Sequence, residues 1–191
     1  MQSFRSRFGQ VITYVVLAVM LLALFAGFQH SGFWGVAASI APAALFVFLV
    51  WASFHQPRVD VSKDTVRIVN VLRSYDIPMA SISRIDTRWA LTIYVGSKKY
   101  TAWGATAPGR HTSFFATKDQ GSHLPETTYL AGTVRPGDLV NTDSGAAAAY
   151  IRRLWEDTRD TQAEVEPVIV KWHSGTLMTL SVLIGMTIAS L

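Results

Sequence analysis

The chain has 191 residues, half of them apolar, a formal charge of +4 and no cysteine, which excludes disulfides, thiolate metal sites and cysteine nucleophiles. No Lys, Arg, Asp or Glu occurs from Phe8 to Pro57 or from His173 onward, so the apolar residues sit at the two ends, as membrane segments do. Apart from Arg5 and Arg7, fifteen basic residues face thirteen acids in the middle, a balance too even for a nucleic-acid surface.

The N-terminal region, residues 1–56, reads as a transmembrane hairpin. Val11 to Phe28 is uncharged and spans about 27 Å as a helix, enough to cross a bilayer core. Its length, the lack of a small-residue cleavage site and a second apolar run close behind argue against a signal peptide. That second run, 33–54, contains Pro42, which predicts a kink. The link Gln29 to Gly32 is short enough to return both ends to one side. Arg5 and Arg7 before the hairpin, and Arg58 and Lys63 after it, predict a cytoplasmic N-terminus and central domain in a multi-pass protein of the plasma (inner) membrane.

Residues 57–166 form the predicted cytoplasmic domain. From Arg58 to Gly104 the apolar period falls to two, as in Val59 and Val61 or Leu91, Ile93 and Val95. Gly96 and Ser97 mark a two-residue hairpin, and the whole run predicts an antiparallel meander of five or six strands. The loop 105–142 is long and polar, with further strands expected near Phe114 and Leu130. A helix is predicted over 145–161, capped by Asp143 or Ser144, with Ala147, Ile151, Leu154 and Trp155 in one apolar stripe. Arg152 with Glu156 and Arg153 with Asp157 are spaced as pairs away from the centre of that stripe. Residues 167–191 supply an extended connector and a third transmembrane helix from Ser174, bordered by Lys171, Trp172 and His173.

The segments DTVRIVNVLRSYDIPMASISRI and WALTIYVGSKKYTAWG resemble the bacterial pleckstrin-homology-like (PH-like) membrane proteins of the low-molecular-weight protein antigen type. Ile77, Pro78 and Ile82 match a short structural element of that family, while Met79 stands where the family has tryptophan and keeps an apolar plug. The resemblance covers Arg58 to Gly109, with the later helix matching in kind. It implies a membrane α plus β fold: the hairpin, a PH-like antiparallel β-barrel or sandwich closed by one amphipathic helix, then the last membrane helix. It implies a non-enzymatic interaction module.

The residues agree with that class. His30, His55 and His173 lie at predicted membrane borders, and His111 and His123 lie in the loop without metal-ligand spacing. No nucleophile elbow, Walker loop or dinucleotide fingerprint occurs, so neither an enzyme, a cofactor nor a small-molecule substrate is expected. The expected function is a protein-binding or accessory subunit of a membrane complex, with the bilayer and another membrane protein as partners and no nucleic acid. Phe114 and Phe115 are candidate contacts. So are Ser181, Gly185 and Ala189, whose small-xxx-small spacing lets helices approach, the hairpin being the expected neighbour. The alternative is anionic-lipid sensing by basic strand residues, with Arg84, Arg88, Lys98 and Lys99 as headgroup contacts alongside Arg67 and Arg73. Interleaved Asp60, Asp64, Asp76 and Asp86 favour a mixed, solvated surface instead. Trp89, Trp103 and Trp155 are read as core residues rather than as ligand platforms, Trp155 because it lies on the apolar stripe. The sequence PETTYL makes Thr127 and Thr128 candidate phosphorylation sites.

Overall fold

The computed structural model describes residues 1–106, 142–159 and 166–190. Its longest helix, α1 (Arg7–Val50), continues through a π-helical turn at Trp51–His55. Straight, 44 residues would reach about 66 Å, twice the thickness of a bilayer core. Gly32 prevents this. Its φ of 69° and ψ of −173° are non-helical and fall where essentially only glycine is tolerated.

The chain folds back at that residue. A Cβ on Gly9 would stand 2.5 Å from the Phe54 carbonyl oxygen, and one on Gly27 would stand 3.2 Å from Val36. The rings of Tyr14 and His55 are 5.9 Å apart. The two arms therefore lie side by side. The expected four-residue link shrinks to one residue, and the helix starts at Arg7, four residues before Val11, because Ser6 accepts the Gly9 N–H at 3.3 Å as its cap. Pro42 lies inside the second arm without ending it. Taken with the π-helical turn, this is the one helix among the described residues long and apolar enough to cross a membrane.

Eight strands among the described residues form two antiparallel sheets. The first contains β1 (Gln2–Phe4), β2 (Arg58–Val61), β3 (Thr65–Val69), β4 (Arg73–Pro78) and β8 (Ile169–Trp172), side by side in that order. The second contains β5 (Arg84–Asp86), β6 (Ala90–Val95) and β7 (Lys98–Thr106). Six of these fall in the predicted meander, divided between two sheets. The outermost strands of the first sheet were not expected: the N-terminal residues pair with β2, and the connector pairs with β4. The sheets stay open, with no strand pairing between them, so no closed barrel forms among the described strands.

The two sheets share one core. Val59, Val61, Val66, Ile68, Ile77, Leu91 and Ile93 are fully enclosed, as their alternation requires. Met79 sits in a 3₁₀ turn (Met79–Ser81) and is also fully buried, so the apolar plug is real. Helix α2 (Asp143–Arg159) lies over β6, β7 and this turn, burying Ala147, Ala148 and Ile151. Its cap is Thr142, one residue before the expected position: the Thr142 hydroxyl accepts the Gly145 N–H at 3.0 Å. Arg152, expected away from the centre of the apolar stripe, is buried. Trp155 packs on the core, but Trp89 and Trp103 are exposed, contrary to expectation.

Candidate functional site

The register of the first sheet places every connection to the apolar helices at one end. Phe4 pairs with Val59, Arg58 with Val69, and Arg73 with Trp172. The end of β1, the start of β2 and the end of β8 therefore lie together, joined by the β3–β4 turn. From β8 the chain enters α3 (Ser174–Ala189). At this junction the His173 N–H donates to the Leu72 carbonyl at 2.9 Å, and His173 Nδ1 lies 3.2 Å from the Val71 carbonyl. Gln56, just past the π-helical turn, brings Nε2 within 3.0 Å of the same ring nitrogen and 3.4 Å of the Thr176 hydroxyl. Thus α1, the sheet and α3 are tied by polar contacts where their backbones meet. No short-range sequence signal could have joined Gln56 to His173 across so many residues.

Helix α3 presents Thr176, Leu180, Leu183 and Thr187 as its half-buried stripe. Leu183 shares a cavity with Tyr14 and Trp51 of the hairpin. The small-residue face does not meet the hairpin. Ser181, Gly185 and Ala189 are exposed, and a Cβ on Gly185 would touch nothing. The Ser181 hydroxyl donates to the Leu177 carbonyl at 3.0 Å, within its own helix. The half-buried stripe is the face turned toward α1, which leaves the small stripe outward.

The basic residues divide into two groups. On the first sheet, Asp60, Arg67 and Asp76 face one another across β2, β3 and β4. The Arg67 guanidinium donates to both oxygens of Asp76, with Nη2 at 3.1 Å, and Lys171 Nζ joins from β8 at 2.9 Å. These donors hold the Asp76 carboxyl below the usual carboxylate range, Arg67 contributing most and partial burial opposing it. The same hydrogen bond to Asp76 raises Arg67. This face is an ion-pair lattice: the charges are mixed as read from the interleaved acids, but Asp60 and Asp76 are buried in their pairs rather than solvated.

On the second sheet, Arg84 pairs with Tyr94, and Tyr94 with Lys99, so these three share a face. Arg84 lies over the Tyr94 ring at 4.1 Å. The Arg88 N–H donates to Asp86 at 3.1 Å, and Lys98 is exposed in the hairpin. The four suggested headgroup residues do not converge on one concavity: of Arg84, Arg88, Lys98 and Lys99, only Lys99 lines a described groove. Phe114, Phe115, Thr127, Thr128, His111 and His123 lie outside the described residues, as do the strands expected near Phe114 and Leu130. Among the described residues, no three acidic or histidine side chains gather as metal ligands would.

Comparison of the chain with protein-family models, curated proteins and solved structures gives no match in any of the three.

Proposed function

We propose that this chain is a non-enzymatic, membrane-anchored interaction module, a protein-binding or accessory subunit of a membrane complex. In this reading each arm of α1 crosses the bilayer, α3 crosses it a third time, and the two-sheet domain is a cytoplasmic PH-like domain. Six successive strands in two sheets, the Met79 plug and the overlying helix α2 support the PH-like assignment. The basic flanks of the hairpin and its uncharged tip support the sidedness.

The observation that carries the reading is the outward small-residue face of α3. In lipid, apolar contact gives helices little reason to associate, whereas small residues allow close backbone approach. Ser181, Gly185 and Ala189 keep that face open after α3 has packed on its own chain. Purification of the full chain from membranes in a mild detergent should recover another membrane protein, and Gly185→Leu should reduce its yield while leaving this chain folded. A solitary monomer in the wild-type preparation would overturn the proposal.

A further inference from the structure

A groove of about 520 Å³ opens at the junction between the sheets and the helices. Arg73, Tyr75, Lys99 and Tyr100 line its domain side, while Ser53 and Leu180 line the side toward α1 and α3. The Tyr75 and Tyr100 rings meet edge to face at 5.0 Å. Arg73 lies 5.4 Å from the centroids of both Tyr75 and Trp172, so aromatic faces hold its guanidinium.

Arg73 differs from the other cations of its sheet. Arg58 has Asp60, while Arg67 and Lys171 share Asp76. Neither Arg73 nor Lys99 has a carboxylate partner among the described residues. The groove thus carries, at one side, two positive charges that no carboxylate among the described residues pairs, and an aliphatic residue of an apolar helix at the other. A guanidinium and an ammonium together favour a phosphate, and Leu180 favours a hydrocarbon chain attached to it.

We infer that this groove binds the phosphate of one anionic phospholipid, with the acyl chains descending along α3. The inference rests on the membrane reading above but uses a different face of α3 from the protein contact. It moves lipid recognition from the Arg84 and Arg88 side of the second sheet to the junction, with Arg73 and Lys99 as phosphate ligands.

The test is native mass spectrometry of the full chain in detergent, titrated with phosphatidylglycerol or with phosphatidylcholine of the same acyl chains. Wild type should retain one phosphatidylglycerol in preference to phosphatidylcholine. Arg73→Gln and Lys99→Gln should each weaken that adduct about tenfold, the loss of one charge-assisted contact. Arg84→Gln and Lys98→Gln remove the same charge outside the groove and should leave it unchanged. Because Lys99 is exposed, its substitution tests the site even where Arg73→Gln fails to fold.

Equal losses in all four variants would mean general charge attraction and overturn the inference. So would equal retention of both lipids, or full displacement by soluble glycerol phosphate, which lacks the chains. Release of the wild-type chain from membranes without detergent would overturn the membrane reading itself. A detergent-requiring chain with no lipid preference would overturn only the site.

Discussion

Asn70 joins the two sheets through one side chain. Its Nδ2 donates to the Thr101 carbonyl at 2.9 Å, and its Oδ1 accepts the Trp103 N–H at 2.9 Å, so a turn residue of the first sheet pairs with β7 as a strand would. Asn70→Ala should cost about 2 kcal/mol, two ordinary hydrogen bonds, read as a lowered melting temperature in detergent. Asn70→Asp should be no better, because it replaces the donor to Thr101 with an oxygen. Asp76 makes a different prediction. Folding lowers its pKa, so its contribution is complete above the ordinary carboxylate value near 4 and disappears as pH falls through that value toward the depressed folded one. Arg67 and Lys171 are about half exposed, which screens the pairs and holds the effect to about 1 kcal/mol. Melting curves across that acid range should show a shallower decline for Asp76→Asn than for wild type. Parallel declines would remove Asp76 from the account.

At the scale of elements, backbone approach decides what side-chain patterns leave open. Gly32 permits the reversal of α1, and a side chain there meets strain of about 1–3 kcal/mol with no neighbour in the way. Gly32→Ala should therefore weaken the contact between the arms, seen as lower crosslinking between residues introduced near Gly9 and Phe54. Unchanged crosslinking would show that packing along the arms alone sets the reversal. Gly104 acts through space: a Cβ there would stand 2.5 Å from the Pro57 carbonyl oxygen, where β7 crosses the exit from the π-helical turn.

That approach explains why Trp103, expected in the core, stands outside it. Parity along β7 turns Ala102 and Gly104 inward, where little room remains, and sends Trp103 out. Long alternating runs were legible, because Val59 with Val61 and Leu91 with Ile93 fit only a half-buried strand. The three residues of β1 and four of β8 were not, since so short a segment has no measurable period and becomes a strand only through its partner. The outward turn of the α3 stripe was hidden for a related reason: the spacing of Ser181, Gly185 and Ala189 defines a face but not what it meets.

For the whole molecule, the shared sheet end sets where the apolar helices leave the domain. Both edge strands of the first sheet, and β2 within it, connect to apolar helices at that end, so on the proposed membrane reading the bilayer lies beneath the domain as a floor. The arms of α1 are ample for a crossing, but α3 has 16 residues and reaches only about 24 Å, short of a core of about 30 Å. Local thinning of the bilayer accommodates such a mismatch at a fraction of a kcal/mol per Å. Because the chain contains no cysteine, single substitutions report on each side without background. With a membrane-impermeant maleimide, Gln29→Cys at the hairpin tip should label in intact cells, and Ser97→Cys in the β6–β7 turn only after permeabilisation. Ser190→Cys, beyond the far end of α3, decides the third crossing: labelling in intact cells places it opposite the domain, whereas protection until permeabilisation means that α3 turns back on the cytoplasmic side.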